Sequence, residues 1–381
     1  MKIYLIILAS MCNHLAFIGS RVVITLHAIE YGSAPAPRGV LIALYALGPL
    51  LLGAATGRFA DRVGARGPMI ACTLGLTVAL LLPVFVPGLP VFFCMAMLIG
   101  MAMNSYFIAV QGVIGAFGRE QDRLRNYGLL SVGFSVSAFF GPLIAGFSID
   151  HLGYTSAYLV LCAFTVIPLL ILCLMPQLIP RLPRNGEKAS GESGGHLLRI
   201  PALRNIFLVS GIVSCAWDLY GFYMPIYARQ IGLSASEIGM ILAAFAIAMF
   251  VIRMFLSAMT QRTSEMRMLV TAIFIASATF FMFPFFHNPW VLAAISFLLG
   301  LGVGMGQPLT MTIIYSMAPK GRTSEAAGVR AMINSGIHVV IPLVFGGLGS
   351  ALGHNAVFLS NAVLLLFSGV VGSRSARLHA K

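Results

Sequence analysis

The chain alternates long apolar runs with short stretches that contain charges, proline and glycine. An α-helix rises about 1.5 Å per residue, so it needs roughly 20 apolar residues to cross about 30 Å of hydrocarbon. Twelve runs approach or exceed that length, and the charged and Pro/Gly breaks between them predict twelve transmembrane helices. Their expected limits are 3–27, 39–57, 68–87, 90–117, 127–149 and 154–175, followed by 206–227, 239–260, 268–286, 289–316, 327–349 and 355–373.

An internal repeat relates the two halves of the chain by a shift of 200 positions. The matched residues share one register and the same span edges. Six spans in each half return the chain to its starting side, so the halves are expected to be parallel repeats related by an axis along the membrane normal. The clearest matches are Gly32 with Gly232, Ala43 with Ala243, Gly100 with Gly300, Pro142 with Pro342, Gly146 with Gly346, and Gly153 with Gly353.

This repeat predicts an all-α membrane protein made of two six-helix bundles related by pseudo-two-fold symmetry. The segment between the bundles is rich in proline, glycine and charge, which is typical of a flexible linker. We therefore expect an N-terminal bundle over 1–175, a cytoplasmic linker over 176–202 and a C-terminal bundle over 203–381.

The positions of the basic residues predict the orientation in the membrane. Short loops rich in Lys and Arg stay on the cytoplasmic side. Here 20 of the 24 basic residues lie in alternate loops, in the linker or at the two ends. Both termini are therefore expected in the cytoplasm, which agrees with an even number of spans.

Composition narrows the class of protein further. Of the 381 residues 59% are hydrophobic and 9% charged, against about 25% charged in an average soluble domain. The net charge of +13 lies in short loops and not on one basic face, which argues against nucleic-acid binding. The six cysteines lack metal-site spacing, and no nucleotide-binding loop or hydrolase motif is present. We expect no metal, no cofactor and no enzymatic activity.

The loop between the second and third spans carries the most specific motif, Gly57-Arg58-Phe59-Ala60-Asp61-Arg62-Val63-Gly64-Ala65-Arg66. Gly57 and Gly64 permit a tight turn, and the Asp61 carboxylate can pair with a cation or a helix N-terminus. The run resembles the G-x-x-x-D-R-x-G-x-R signature of the major facilitator superfamily. The resemblance implies alternating access of a small solute and a cytoplasmic gate latched by Gly57, Asp61, Arg62, Gly64 and Arg66.

The fifth span contains a second family-like pattern in Gly128, Gly141, Pro142 and Gly146. It resembles the glycine-proline motif that the family associates with antiporters exporting drugs and other small molecules. The alternative interpretation is a seam of close helix packing without bearing on direction, since small residues let helices approach. The motif favours export over import.

Asp218 is the one acidic residue that lies well inside a predicted span. An ionisable group at membrane depth costs roughly 2.5–3.5 kcal/mol on insertion scales, so it usually faces a cavity or a partner charge. Reversible protonation of Asp218 would suit proton-coupled transport. The alternative is a structural salt bridge with Arg21 or Arg253.

Other polar residues inside the spans are weaker candidates for proton coupling or substrate binding. A histidine at mid-depth can carry a proton or bond to a carbonyl. An amide can face the cavity or join two helices, and an arginine can attract an anion, pack structurally or extend to the interface. These candidates are His14, Arg21, Arg253, His338, Asn104 and Gln111.

These observations predict a secondary active transporter that moves a small organic solute, most simply by proton-coupled efflux across a bacterial-type inner membrane. The expected partners are the solute, the proton and the bilayer, and we expect a monomer. One alternative is a proton- or sodium-linked importer of a sugar or organic anion, with Arg21 and Arg253 as anion ligands. Another is a non-transporting membrane sensor or the permease subunit of an ATP-driven complex.

Overall fold

In a computed structural model, the described residues are 2–34, 36–45, 47, 65–115, 123–179, 197, 199–318 and 323–379. They are almost entirely helical, and none of them lies in a strand. The first helices are α1 (Lys2–Glu30), α2 (Ala36–Tyr45), α3 (Arg66–Phe85), α4 (Leu89–Gly115) and α5 (Arg123–Leu174). The others are α6 (Pro201–Gln230), α7 (Ala235–Thr260), α8 (Glu265–Met282), α9 (Pro289–Met317), α10 (Thr323–Leu352) and α11 (His354–His379).

These helices follow the predicted order of spans. Among the described residues, ten are long and apolar enough to cross a membrane, and α2 is a shorter apolar helix at the start of the predicted second span. At 52 residues, α5 would measure about 78 Å, more than twice the hydrocarbon thickness. It is interrupted at Gly153 (φ 78°, ψ 172°), so it contains the predicted fifth and sixth spans. The predicted helical membrane fold is confirmed.

Some predicted boundaries need correction. The sixth helix, α6, begins at Pro201, five residues before the predicted span, because proline is well tolerated in the first turn of a helix. The last helix, α11, continues to His379, six residues beyond the predicted twelfth span, and includes Arg374 and Arg377. The tenth helix, α10, begins at Thr323, four residues before the predicted eleventh span, and includes Arg330.

The chain divides into two compact units. Unit 1 comprises Met1–Gly186 with Gly232–Ala243, and unit 2 comprises Glu187–Ile231 with Ala244–Lys381. The division into bundles over 1–175 and 203–381 joined by a linker stays a prediction.

The 200-residue repeat recurs in the backbone geometry. Gly153 and Gly353 both have a positive φ, 78° and 81°, and so do Gly32 and Gly232, at 69° and 87°. Side chains other than glycine rarely adopt this conformation. The helix connections therefore match at equivalent positions of the two halves.

A second geometric match is a pair of close helix contacts. A Cβ atom added at Gly100 would lie well inside 3.0 Å of the Tyr45 carbonyl, and one added at Gly300 would lie equally close to the Phe245 carbonyl. Both the glycines and their partners are 200 positions apart. Each unit thus brings two helices together at a point where only glycine fits.

Arg66 is the residue of the predicted gate motif whose contacts the structure describes. Its Nε donates a hydrogen bond to the carbonyl of Leu172 (3.0 Å), and its Nη2 donates one to the carbonyl of Cys173 (3.1 Å). The last carbonyls of a helix lack partners within the helix and favour a nearby cation. Arg66 therefore caps the C-terminal end of α5. The other motif residues, Gly57, Asp61, Arg62 and Gly64, lie outside the described residues, and the gate role stays a prediction.

Substitution of Arg66 by alanine is expected to destabilise the end of α5 by about 1 kcal/mol, because two charge-assisted hydrogen bonds at its C-terminus are lost. Heat-induced unfolding of the purified protein in detergent should detect the change as a lower midpoint. Arg267→Ala is the matched control, since that arginine is exposed. Equal midpoints for the two variants would contradict the capping role.

The start of α7 is held within unit 1 by a carboxylate. Oδ1 of Asp150 accepts a hydrogen bond from the backbone N–H of Ala235 (3.0 Å), and Oδ2 accepts one from Ser236 (2.6 Å). A negative charge at a helix N-terminus is favourable, since the first N–H groups have no partner within the helix. A Cβ at Gly146 would lie well inside 3.0 Å of the Ala235 carbonyl, so glycine is needed for this approach.

Candidate functional site

Three polar contacts in a row join α6 to α10 in unit 2. Residues four apart on a helix share one face, and each contact lies four residues beyond the previous one on both helices. The offset between partners is constant at 120 positions, so the two helices run parallel and in register. We call these residues the polar ladder: Ser210 with Arg330, Ser214 with Asn334, and Asp218 with His338.

The first two contacts are hydrogen bonds. Nε of Arg330 donates to Oγ of Ser210 (3.1 Å), and Oγ of Ser214 donates to Oδ1 of Asn334 (3.2 Å). Arg330 also directs Nη1 at the sulfur of Met311 (3.1 Å). The hydroxyl groups on α6 are desolvated, because Ser210 and Ser214 are almost fully buried.

The third contact unites two of the predicted candidates. Oδ2 of Asp218 meets Nδ1 of His338, with the carboxylate side chain 7% exposed and the imidazole 43% exposed. Oδ2 accepts no hydrogen bond from any other group of the described chain. Asp218 lies near the middle of the 30-residue helix α6, where a carboxylate needs a partner. Within unit 2 its described partner is His338 and not Arg253, because α10 presents the imidazole at the same height. A pairing with Arg21 stays a prediction.

Arg253 of α7 occupies a different environment in unit 2. Its guanidinium lies over the Trp217 ring, 5.8 Å from the centroid, a favourable cation–π arrangement. Its Nε donates a hydrogen bond to the Gly304 carbonyl at 3.4 Å. These contacts support a packing role for Arg253 between helices.

The candidates of unit 1 lie among aromatic rings. His14 of α1 approaches the rings of Phe134 and Phe107, with centroid separations of 4.7 and 5.6 Å, and Phe17 at 6.2 Å. All four rings are half-buried. Nδ1 of His14 is buried and has no hydrogen-bond partner among the described groups. His14 therefore differs from His338, which has a carboxylate beside it.

The remaining candidates of unit 1 are not gathered into one polar cluster. The guanidinium of Arg21 lies over the Tyr45 ring, 6.0 Å from the centroid. Asn104 is half-buried on α4, one turn before Phe107, and Gln111 is exposed farther along. The hydroxyl of Tyr127 donates to the backbone carbonyl of Gln111 (2.9 Å). Transport roles for these side chains stay predictions.

The glycine-proline motif of α5 provides close packing at two of its glycines. A Cβ at Gly141 would lie 3.1 Å from the Leu15 carbonyl, in α1, and Gly146 approaches the backbone of Ala235. Gly239 in turn approaches the Pro142 carbonyl. At Gly128 a Cβ would meet no described atom within 4 Å, so a packing role for Gly128 stays a prediction.

Sequence reasoning missed four members of the ladder, namely Ser210, Ser214, Arg330 and Asn334. The available signal was the four-residue spacing of polar groups on two spans. That spacing alone does not reveal which spans are neighbours. Within the described ranges, no group of three or more His, Cys, Asp or Glu side chains could hold a metal ion.

Comparison with known proteins places these features in a family. The Major Facilitator Superfamily family profile matches residues 6–227 and 206–378. The multi-drug resistance efflux pump PmrA of Streptococcus pneumoniae is 22% identical over 334 residues, covering 87% of this chain and 84% of its own length. The multidrug resistance protein MdtG of Klebsiella pneumoniae is 24% identical over 348 residues, with coverage of 85% and 80%. The class C tetracycline resistance protein of Escherichia coli is 24% identical over 331 residues, with coverage of 80% and 78%.

Solved structures share the fold at low sequence identity. The nucleoside transporter NupG superposes with a TM-score of 0.80 at 12% identity, covering 97% of this chain and 99% of its own. The transporter PepTSo gives a TM-score of 0.78 at 13% identity, with coverage of 100% and 98%. Since the family profile spans nearly the whole sequence and the apolar helices match its fold, the chain belongs to the Major Facilitator Superfamily of membrane transporters.

Proposed function

We propose that the chain exports a small organic solute in exchange for protons, by alternating access, and that Asp218 with His338 binds the coupling proton. The contact between a buried carboxylate and a half-buried imidazole on α6 and α10 carries this proposal. Two relatives, a multi-drug resistance efflux pump and a tetracycline resistance protein, support export.

Protonation of Asp218 would change its interaction with His338 and so the contact between α6 and α10. A carboxylate at membrane depth is costly unless a cation lies beside it. When Asp218 takes up a proton, its attraction to a protonated imidazole disappears, so α6 and α10 lose one of the contacts that join them. Proton binding thereby changes the relative free energy of two arrangements of the helices, as alternating access requires.

The aromatic rings of unit 1 support an organic and largely apolar solute. The half-buried rings of His14, Phe17, Phe107 and Phe134 suit edge or face contacts with a planar molecule. We propose that the transporter acts as a monomer in a bacterial-type inner membrane, with both termini in the cytoplasm.

Import of a sugar or organic anion is less well supported. That alternative assigns Arg21 and Arg253 as anion ligands. Both guanidiniums lie over aromatic rings, and Arg253 also donates to a backbone carbonyl. Their described contacts are those of packing groups. An ATP-driven permease subunit or a sensor has no comparable observation in its favour.

The test is transport by purified protein in liposomes that contain no ATP. With the interior made acidic, tetracycline and a panel of planar organic dyes should accumulate above the level in empty liposomes, and the interior pH should rise as each substrate enters. A protonophore should abolish both signals. Accumulation that follows a sodium gradient, or only downhill movement, would contradict proton-coupled efflux.

A further inference from the structure

We infer that Ser214 and Asn334 are positioning residues: their hydrogen bond holds α6 and α10 in the register that brings the Asp218 carboxylate to His338. The inference rests on the proposed function in one respect, since it assigns the control of proton binding at that same pair. It concerns the contact of Oγ of Ser214 with Oδ1 of Asn334, at 3.2 Å.

Apolar packing alone leaves this register weakly determined. Between the polar contacts, a Cβ at Gly211 would lie 2.8 Å from Cδ1 of Ile337 and 3.3 Å from Cγ2 of Ile333. Such close contacts bring the helices together but tolerate axial sliding and rotation, because dispersion has little directionality. A single buried amide can specify the register of two helices, as in coiled coils. The half-buried amide of Asn334 makes the comparable polar contact between α6 and α10 here.

The spacing of the polar ladder places the Ser214–Asn334 hydrogen bond close to the Asp218–His338 pair. Each contact lies four residues, or about 6 Å, along the helix from the next. Ser214 and Asn334 are therefore one turn from Asp218 and His338, and a shift of one turn would separate the carboxylate from the imidazole. Ser214 is 1% exposed, so its hydroxyl has little access to water as a substitute partner.

Among the described residues of unit 2, few charged groups other than His338 lie on the helices around Asp218, so the distance to His338 is the main variable in the electrostatic environment of the carboxylate. On α10 the charged or titratable groups along the ladder are His338 and Arg330, and α7 contributes Arg253 beside Trp217. Cys215 lies on the same helix as Asp218. The sequence has no Asp, Glu, Lys, Arg or His in 268–282 of α8, 289–317 of α9 or 355–373 of α11.

A purely structural contact would behave differently from a positioning contact. If Ser214 and Asn334 only stabilised the fold, their loss would lower the unfolding temperature and leave proton binding at Asp218 unchanged. If they set the register, their loss would alter proton binding in the same direction as removal of His338. The variants Ser214→Ala, Asn334→Leu and the double variant distinguish these outcomes.

The experiment measures protonation of Asp218 directly in the purified full-length protein. The infrared carbonyl band of the protonated carboxyl group is assigned by its loss in Asp218→Asn and followed against pH. His338→Gln provides the reference for a carboxylate without its partner. Ser350→Ala is the matched control, since its hydroxyl lies on α10 and bonds to the Gly346 carbonyl of its own helix (3.0 Å). Ser214→Thr retains the hydroxyl.

Each single variant should move the titration midpoint toward that of His338→Gln by at least half a pH unit, which is about a threefold change in the proton-binding constant. The double variant should move it no farther than the larger single change, because both substitutions remove one contact. Ser214→Thr and Ser350→Ala should keep the original midpoint. If Asn334→Leu does not insert into the membrane, Ser214→Ala together with the controls Ser214→Thr and Ser350→Ala is sufficient to test the positioning role.

The outcomes separate this inference from the proposed function. Unshifted midpoints in Ser214→Ala and Asn334→Leu, or additive shifts in the double variant, would overturn the positioning role even if wild-type transport follows the pH gradient. Shifted and non-additive midpoints would support the positioning role even if wild-type transport does not depend on the pH gradient. In that case only the proposed proton coupling would be contradicted. A band that never changes with pH contradicts both.

Discussion

Asp218→Asn is expected to reduce substrate accumulation driven by a pH gradient to the level of empty liposomes. An amide resembles a carboxyl group in size but binds no proton at physiological pH, so exchange of protons for solute loses its carrier. The chain should still insert, because the neutral amide is less costly in the membrane than the charged carboxylate. Exchange of labelled for unlabelled substrate, which needs no net proton movement, should persist.

Glu237→Gln is the matched control for this substitution. Glu237 lies in the first turn of α7, where its carboxylate accepts a hydrogen bond from the backbone N–H of Ser234 at 2.8 Å. The same loss of an acid at that position should leave gradient-driven accumulation close to wild type. An Asp218→Asn protein that inserts normally and still accumulates substrate against its gradient would eliminate Asp218 as the coupling residue.

Gly300→Val is expected to cause the largest loss of stability among the substitutions considered. Its Cβ would lie well inside 3.0 Å of the Phe245 carbonyl and 2.8 Å from Cβ of Ala248. Backbone cannot move aside as a flexible side chain does, so α7 and α9 would have to separate. Overpacking of this kind costs typically 1–3 kcal/mol and occasionally more. Yield of folded protein and the midpoint of heat-induced unfolding in detergent measure the effect.

Gly347→Val tests whether the loss of stability in Gly300→Val comes from the close contact with Phe245 or from placing valine in a helix. Gly347 lies inside α10 and is exposed, and a Cβ there meets no described atom within 4 Å. Both variants introduce the same β-branched residue into a helix, so the propensity cost is similar. A comparable loss for Gly300→Val and Gly347→Val would show that close approach to Phe245 is not the cause.

The order of helices was predictable because hydrocarbon imposes a single simple requirement. Every backbone polar group in a spanning segment must be satisfied within the segment, so length and apolarity suffice to identify a helix. The helix break at Gly153 was predictable from the internal repeat, since Gly153 and Gly353 occupy equivalent places in the two halves. In the predicted second span, 39–57, the structure describes the part that α2 (Ala36–Tyr45) covers.

The candidate site was predictable in part. Asp218 is identifiable from sequence because a carboxylate inside an apolar run is costly wherever its side chain points. His338 was one of two similar histidines, and nothing in the apolar runs distinguishes it from His14. The structure separates them by surroundings, since His338 meets a carboxylate whereas His14 lies among phenylalanine rings.

The sequence by itself determined that this protein is a helical membrane transporter with an internal repeat, because hydropathy, charge placement and one loop motif are local properties of the chain. Only the tertiary structure decided that α6 and α10 are neighbours in parallel register, and hence that Ser214 meets Asn334 one turn from Asp218 and His338. Those contacts join residues 120 positions apart, and such a pairing depends on which helices pack together and how each is rotated. A rotation of one helix about its axis would leave every hydropathy pattern unchanged and would remove the ladder entirely.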